Sequence, residues 1–296
     1  MSVIHFVGVG KMGLPMALHL KAAGHAVTVS DPSEERLQLA RQQGLRVAED
    51  DDAALGRADV VFSSLPNDAA LRSVAAQVGR AARRGATYVD TSTVSQQVSA
   101  EAAEVLAAAG VLYLRTTVSG NNKMAEAAQL TVMASGPRAA YDTVLPLLKT
   151  LGPNQFYLGE AEQARLMKLV VNLMIAQTSA MLAEGLTLGR KGGLDWHDMW
   201  QVLGASAVAS PILKAKAVQL SDRDFTPTFT VGQMIKDLDL ILGAGRGRAC
   251  AAGADRPDAP AHARGAGPGR GARGLCGDHQ DGRAQCRSVY RNGVKG

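Results

Sequence analysis

The first 160 or so residues alternate between short apolar runs and longer segments with helical spacing. Residues 3–7 form a β-branched and aromatic run that ends at Gly8, and apolar side chains then recur every three or four positions as far as Leu20. A short apolar run predicts a buried strand, and the longer spacing predicts a helix. The alternation continues with strands predicted at 26–30, 60–65, 87–90, 111–116, 130–134 and 155–158, and helices at 33–43, 68–78, 98–109 and 139–148. This order predicts an α/β fold with a parallel, doubly wound sheet of the Rossmann type.

The strand pattern stops at about residue 162. A long apolar helical pattern occupies 162–190, and shorter helices are predicted near 196–203 and 234–242. We therefore expect a dinucleotide-binding Rossmann domain at 1–162 and an all-helical substrate and dimerisation domain at 163–247. The remaining residues, 248–296, form a separate tail.

The tail differs from the rest of the chain in composition. From Gly243 onward, Gly, Ala and Arg supply 33 of 54 residues, and the large aliphatic side chains are Leu275, Val289 and Val294 alone. A segment of this composition cannot bury a core, so a disordered basic tail is one interpretation.

A shifted reading frame is another interpretation of the tail. Enrichment in Gly, Ala, Arg and Pro is typical of a GC-rich gene read out of register. Read one nucleotide later, codons for 277–282 permit Val-Ile-Ile-Lys-Met, and those for 254–264 permit Pro-Thr-Ala-Leu-Thr-Arg-Leu-Leu-Thr. Both are typical of apolar helix. We hypothesise a frameshift near residues 245–248, and sequencing that stretch of the gene again tests it.

Charge and cysteine content exclude several classes of function. The chain carries +5 overall, but the segment from Gly243 holds nine Arg and one Lys against four Asp, so the preceding residues are nearly neutral. We therefore expect no nucleic-acid partner. All three cysteines lie in the tail, and the body shows no metal-ligand spacing, which predicts no metal site. No apolar run reaches the roughly eighteen residues of a membrane span, and no basic segment precedes the first strand, so we expect a cytoplasmic protein without membrane contact.

A glycine-rich motif follows the first predicted strand and opens the first helix. It reads Gly8-Val9-Gly10-Lys11-Met12-Gly13, the G-x-G-x-x-G dinucleotide fingerprint in the context that it requires. Gly8 permits the tight turn, Gly10 lets the backbone approach a pyrophosphate, and Gly13 lets helix and strand pack closely. Lys11 and Met12 lie within the same predicted cofactor loop.

The end of the second predicted strand bears on the choice of cofactor. Asp31 stands where a carboxylate would accept hydrogen bonds from the ribose diol of NAD, and its charge would repel the 2′-phosphate of NADP. Arg36, one turn further on, keeps NADP as an alternative. Asp31 could also cap the helix that follows.

Lys168 and Asn172 are four residues apart on the long predicted helix and therefore share one face, which is otherwise apolar. Lys168 is either a surface lysine whose stem packs on apolar neighbours or a general acid. As an acid it would protonate the oxyanion formed when a carbonyl is reduced, and it would accept the proton in the oxidative direction. Asn172 would orient Lys168 or bind the substrate hydroxyl; the alternative is a satisfied polar residue at a helix interface.

A second polar segment, Ser119-Gly120-Asn121, follows a predicted strand. Its hydroxyl, amide and backbone N–H groups could form a cradle for a substrate carboxylate. An ordinary turn is the alternative interpretation.

Across residues 1–242 the chain resembles the β-hydroxyacid dehydrogenase family, of the 3-hydroxyisobutyrate dehydrogenase and tartronate semialdehyde reductase type. The resemblance rests on five motifs in order: the glycine loop extended through Leu14-Pro15-Met16-Ala17, then Asp90-Thr91-Ser92-Thr93, Val118-Ser119-Gly120, Lys168-Leu169-Val170-Val171-Asn172 and Lys236-Asp237-Leu238. It implies a nicotinamide-dependent oxidoreductase that acts on a small β-hydroxy acid or its semialdehyde, with Lys168 as the acid and base.

The resemblance also assigns further residues. Leu65 and Pro66 would line the cofactor, Thr93 would contact it beside the nicotinamide, and Lys236 would reach it from the helical domain. The family resemblance further implies a homodimer or homotetramer, formed through the helical domains, unless the altered tail prevents assembly.

Some positions depart from the patterns of related enzymes. Asn121, Asn122 and Lys123 stand where the family often has small residues, and Lys123 could bind a second anionic group or be a solvated loop residue. Val171 stands where the similar 6-phosphogluconate dehydrogenases carry His, and imine reductases usually replace the lysine found here at Lys168. The alternative function is an inactive or damaged family member that binds a cofactor or nucleic acid; salt-dependent DNA binding without NAD(H)-coupled activity would indicate it.

Overall fold

A computed structural model describes residues 1–222, 226 and 229–246. The predicted tail at 248–296, with both of its interpretations, lies outside the described residues. Within them the strands form one eight-stranded sheet in the order β3-β2-β1-β4-β5-β6-β7-β8. The strands are β1 (Val3–Val7), β2 (Ala26–Ser30), β3 (Arg46–Val47), β4 (Val60–Ser63), β5 (Thr87–Asp90), β6 (Leu112–Ser119), β7 (Thr131–Ser135) and β8 (Asn154–Tyr157).

Helices connect the strands, and among the described residues only helices follow β8. They are α1 (Gly13–Ala22), α2 (Glu34–Gln42), α3 (Asp51–Arg57), α4 (Asp68–Ala81), α5 (Gln96–Ala109), α6 (Asn122–Glu126), α7 (Arg138–Leu148), α8 (Gln163–Lys191), α9 (Trp196–Ala205), α10 (Pro211–Ser221) and α11 (Val231–Arg246). The predicted fold class, a Rossmann-type sheet followed by helices, is confirmed.

One strand pair departs from the predicted parallel sheet. β6 and β7 are antiparallel, with Ser119 opposite Thr131 and Arg115 opposite Ser135, whereas the other pairs of the sheet are parallel. The connection between β6 and β7 contains only the five-residue α6. A parallel crossover needs a dozen or more residues, so a connection this short reverses the chain instead.

The sheet is covered on both faces by apolar side chains. On one face Phe6 and Phe62 stack with ring centroids 5.7 Å apart beneath α1 and α7. On the other, Tyr88 and Tyr113 stack at 5.5 Å beneath α4 and α5. Because both faces are covered, β1 and β4 are mostly apolar along their length rather than alternating.

The helices after β8 bury much less. Their core is the small cluster of Leu182, Leu186, Met199, Trp200 and Leu213. α8 has 29 residues and a mean hydropathy of 1.5 over its most apolar window. By length and composition alone the helix could cross a membrane, but the core helix of a globular domain meets the same criterion. Its uninterrupted apolar runs are shorter, because Lys168 and Glu184 fall within the helix.

Candidate active site

The glycine loop joins β1 to α1 at the carboxyl edge of the sheet. A Cβ atom at position 13 would lie 1.9 Å from the carbonyl oxygen of Gly8, so the loop requires glycine there. At Gly10 a Cβ would meet nothing within 4 Å, which leaves the backbone open to a ligand. Met12 occupies the N-cap of α1 and makes no capping hydrogen bond with its side chain. This helix N-terminus and its open approach fit the pyrophosphate of a dinucleotide.

Asp31 holds the glycine loop in place. One carboxylate oxygen accepts a hydrogen bond from the backbone N–H of Val9 at 2.9 Å, and the other from the N–H of Ser33 at 2.8 Å. The bond to Val9 is a structural role that the sequence did not reveal, and Ser33 rather than Asp31 is the N-cap residue of α2. Each carboxylate oxygen retains a further lone pair that could accept from a ribose hydroxyl.

The loops after β4 and β5 are tied to each other. The backbone N–H of Leu65 donates to the Ser92 hydroxyl at 2.8 Å, and Ser92 in turn donates to Asp90 at the end of β5. Pro66 follows Leu65, and Thr93 follows Ser92, so the three residues expected beside the cofactor lie on two connected loops. The parallel pairing of β4 with β5 places both loops at one edge of the sheet.

A cluster of polar side chains joins α8 and α11 to this edge. The ammonium nitrogen Nζ of Lys236 donates to the carbonyl oxygen of Thr93 at 2.7 Å and forms an ion pair with Asp237 Oδ1 at 2.9 Å. Asp237 Oδ2 accepts a hydrogen bond from Asn172 Nδ2 at 2.6 Å. Asn172 and Asp237 are both buried. The structure thus brings together three of the predicted residues through one carboxylate, Asp237.

Lys168 lies one turn before Asn172 on α8. Burial lowers the pKa of its ammonium group to about 8; Asp237 opposes that change and Lys236 adds to it. The partial desolvation of a cation is costly unless an anion is near. An amine with a pKa of about 8 can give or take a proton near neutral pH, which an ordinary exposed lysine does poorly.

The Ser119 segment lies at the end of β6 and leads into α6. Gly120 has a φ of 139°, and a Cβ there would lie 2.7 Å from Leu130 Cδ2, so glycine is required. Asn121 caps α6 by accepting from the N–H of Met124 at 3.0 Å. Nε2 of His19 on α1 donates a hydrogen bond to the carbonyl oxygen of Ala125 at 2.9 Å, which connects this segment to the cofactor helix.

Sequence reasoning missed two residues of this site. Asp237 stands in the motif Lys236-Asp237-Leu238 but was assigned no role there, although a buried carboxylate next to two lysines is a specific signal once the fold is known. Arg165, three residues before Lys168, was not singled out at all, and it is buried against the sheet. No group of three or more His, Cys, Asp or Glu side chains with metal-binding geometry occurs among residues 1–222, 226 and 229–246.

Two family models match the chain almost from end to end of the described part. The model of the NAD binding domain of 6-phosphogluconate dehydrogenase matches residues 3–159, and the model of the NAD-binding domain of NADP-dependent 3-hydroxyisobutyrate dehydrogenase matches 163–254. The chain belongs to the β-hydroxyacid dehydrogenase family. The predicted NAD(P) cofactor is thereby confirmed.

Named relatives agree with this membership. The chain is 33% identical over 245 residues to 2-(hydroxymethyl)glutarate dehydrogenase of Eubacterium barkeri, an alignment that covers 81% of each protein. It is 28% identical over 242 residues to glyoxylate/succinic semialdehyde reductase 1 of Arabidopsis thaliana, covering 81% and 84%. It is also 30% identical to human cytokine-like nuclear factor N-PAC, but spans only 44% of that protein. The prediction of an NAD(P)-dependent oxidoreductase is confirmed.

Solved structures show the same architecture. A 3-hydroxyisobutyrate dehydrogenase from Mycobacterium tuberculosis, solved with L-serine, superposes with a TM-score of 0.80 at 28% identity and covers 89% of this chain and 91% of that one. An imine reductase from Pseudomonas sp. shares the fold at a TM-score of 0.63 and 21% identity, covering 84% and 88%. The function of this β-hydroxyacid dehydrogenase is therefore argued from the residues of its own site.

Proposed function

We propose that this β-hydroxyacid dehydrogenase interconverts a small β-hydroxy acid and its semialdehyde, with Lys168 as general acid in reduction and general base in oxidation. The observation that carries the proposal is the position of Lys168: a desolvated amine on the helix that Asn172, Asp237 and Lys236 connect to the loop of Thr93. Bound NAD(P) would supply or accept the hydride. Lys168 supplies or removes the proton at the substrate oxygen.

The hydrogen bonds of Asn172 and Asp237 restrict what each can do. Asn172 Nδ2 is bonded to Asp237, so its amide oxygen Oδ1 is the atom that would accept a hydrogen bond from the substrate hydroxyl. Asp237 stabilises the charged form of Lys168 and pairs with Lys236. Two lysines against one carboxylate leave the site cationic, which attracts a carboxylate substrate.

The substrate carboxylate would bind at Ser119, Gly120 and Asn121. The side-chain oxygen of Asn121 already caps α6. The donors left for the substrate carboxylate are therefore Asn121 Nδ2 and the Ser119 hydroxyl. Lys123 is exposed on α6 and offers a cation for a second anionic group. The likeness to a dehydrogenase named for a glutarate supports including dicarboxylates in the substrate range.

We propose NAD as the preferred cofactor. Asp31 is fixed at the end of β2, where the adenosine ribose of a dinucleotide lies in this fold. Its charge would meet the 2′-phosphate of NADP, and Arg36 would have to compensate. A value of kcat/KM for NAD at least about tenfold above that for NADP, a difference of roughly 1.4 kcal/mol, is expected.

We also propose a homodimer or homotetramer. Large apolar side chains are exposed on the helices after β8, among them Met174, Leu188 and Val202, and an exposed apolar surface of this kind commonly marks an association surface. Light scattering during size-exclusion chromatography measures the mass in solution. A monomer at micromolar concentration would contradict this proposal.

The decisive experiment follows NAD(P)H absorbance with a panel of β-hydroxy acids and semialdehydes, including 3-hydroxyisobutyrate, serine, 2-(hydroxymethyl)glutarate and succinic semialdehyde. With any active substrate, Lys168→Ala should lower kcat by about 10²–10⁴-fold, because it removes the proton-transfer group. Lys191→Ala, an exposed lysine on the same helix, is the matched control. Wild-type turnover in Lys168→Ala would show that the assignment is wrong.

A further inference from the structure

Arg165 lies in the first turn of α8 and is buried, and its guanidinium makes four hydrogen bonds to the sheet half of the molecule. Nη2 pairs with Asp90 and also donates to the hydroxyl of Tyr113 at 2.9 Å. Nε donates to Ser99 at 3.1 Å, and Nη1 donates to the carbonyl oxygen of Ser92. One side chain of α8 thus contacts β5, α5, β6 and the loop after β5.

The other members of this network belong to the loops expected to line the cofactor. Asp90 ends β5 and accepts hydrogen bonds from the Ser92 hydroxyl and from Ser63 at the end of β4, the latter at 2.7 Å. Ser92 in turn receives the N–H of Leu65 and is followed by Thr93. The Arg165–Asp90 pair therefore fixes both loops.

The same side chain is close to the proton-transfer group. Arg165 precedes Lys168 by three residues, which is about 4.5 Å along a helix axis and less than one turn. A guanidinium is planar and presents its donors in a fixed fork, so its bonds define an orientation as well as a distance. Rotation or sliding of α8 that would displace Lys168 breaks several of these bonds together.

Other contacts of the same turn act in the same direction. Glu162 pairs with Arg115 on β6, and the backbone carbonyl of Ala164 accepts from Thr117 at 3.0 Å. The backbone N–H of Ala164 donates to Ser135 at 3.1 Å. These bonds place the helix start on β6 and β7, whereas the bonds of Arg165 reach the end of β5 and the loop after it.

We propose that Arg165 is a positioning residue for catalysis: through Asp90 and the Ser92 carbonyl it sets the place of Lys168 relative to the loops of Leu65 and Thr93. The inference rests on the proposed role of Lys168. It goes beyond that role because it assigns the alignment of the two reacting partners to one buried ion pair. Arg165 is 1% exposed, so a bound substrate or cofactor would meet its neighbours rather than its guanidinium.

A double substitution separates positioning from stability. Replacing a buried ion pair by neutral side chains of similar volume is often neutral for folding, whereas removing one partner leaves an unpaired buried charge. Arg165→Met with Asp90→Asn should therefore keep a melting temperature near that of the wild type. Its kcat should fall about 100-fold, the cost of a misplacement of about 1 Å, with KM changing much less. Arg165→Lys retains the charge without the fork and should recover part of kcat.

A second readout does not depend on knowing the substrate. The rate of Lys168 acylation by a small amine reagent, followed by mass spectrometry as a function of pH, reports its protonation. In the wild type the midpoint should lie at about 8, and in the double variant it should move toward the ordinary 10.5, because a displaced amine is hydrated. Asp237 and Lys236 are the charged groups that act on Lys168, and both are unchanged in the double variant.

The control removes an ion pair that does not touch α8. Arg72 on α4 and Glu101 on α5 form an exposed pair at 2.9 Å, and Arg72→Met with Glu101→Gln should change neither kcat nor the labelling midpoint. A folded Arg165/Asp90 double variant with the wild-type labelling midpoint would overturn the inference, whatever its activity. If the wild type acts on no substrate of the panel, the proposed function fails, yet the labelling result still decides the role of Arg165.

Discussion

The two parts of the chain solve the problem of stability in different ways. The sheet half, residues 1–157, packs apolar side chains against both faces of a central sheet, and Phe6, Phe62 and Leu106 have no exposed surface. Among its described residues, the helical half, 163–246, has a separate apolar cluster of only five buried residues and leaves Leu188 76% and Val202 67% exposed. The less well packed half nevertheless carries Lys168.

This difference indicates which contacts hold the helices of the helical half in place. Its most buried polar residues, Arg165, Asn172 and Asp237, face the sheet half or one another across α8 and α11. Activity should therefore depend on contacts between the halves, and global stability on the core of the sheet half. Substitutions matched in chemistry but placed in different halves test this division.

Two leucine truncations should give the largest contrast. Leu106→Ala empties a site with no exposed surface in the sheet half, and we expect a loss near the upper end of the range of about 2–5 kcal/mol for such changes. Leu186→Ala lies beside an open apolar groove with Leu203 and Val208, where less contact is lost, so we expect a loss near the lower end. Urea denaturation followed by circular dichroism measures both. Equal losses would break the comparison.

A glycine substitution tests the sheet half at its ligand. In Gly13→Ala the new Cβ would collide with the Gly8 carbonyl, so the loop must shift away from its binding geometry. We expect affinity for NADH to fall at least about tenfold, roughly 1.4 kcal/mol, by fluorescence titration. Lys168→Ala should leave this affinity nearly unchanged, since its effect lies in proton transfer. Unchanged NADH binding in Gly13→Ala would contradict the loop geometry.

The pH profile tests the helical half. Reduction needs Lys168 protonated, so its kcat should be constant below a pH of about 8 and fall above it; oxidation needs the neutral amine and should rise through the same pH. Asp237 holds the pKa of Lys168 up, so Asp237→Asn should move both midpoints to lower pH while leaving an acceptor for Asn172.

Asp239→Asn is the matched control for this profile, since Asp239 lies on the same helix and is exposed. It should keep both midpoints. A profile in Asp237→Asn that coincides with the wild type would mean that Asp237 does not act on Lys168.

The smallest effect should be a gain. Gly185 lies inside α8, and a Cβ there would meet nothing within 4 Å. Gly185→Ala should stabilise the protein by about 0.5–1 kcal/mol, because alanine loses less backbone entropy in a helix. Thermal denaturation of this variant beside Gly13→Ala compares one glycine that the structure needs with one that it does not. A destabilised Gly185→Ala would indicate that this face of α8 is covered in solution.

Local patterns in the sequence predicted much of the fold. Strands such as Val3–Val7 and the glycine loop have local causes, namely apolar runs and backbone freedom, and both were predicted with nearly correct bounds. α3, α6 and α10 were missed, since α3 and α6 are only seven and five residues long and α10 has a weak apolar periodicity. The antiparallel β7 depends on the length of a connection, which apolar patterns do not report.

The site was predictable only in part, for a related reason. Lys168 and Asn172 share a helix, so their spacing alone places them together. Asp237 meets Asn172 from 65 positions away in the sequence, and Arg165 meets Asp90 from 75 positions away. Charge pairs over such separations are created by tertiary packing and leave no periodic signal in one sequence. The binding of the substrate by Ser119, Gly120 and Asn121 stays a prediction.

The anchored start of α8 has a mechanical consequence. If α8 tilts, the pivot lies at Arg165, with Lys168 about 4.5 Å and Lys191 about 39 Å away along the helix axis. A tilt of a few degrees carries the far end through several ångströms and the amine through a fraction of one. The distal end of α8 can therefore differ in position between related proteins while the Lys168 amine keeps its place in the site.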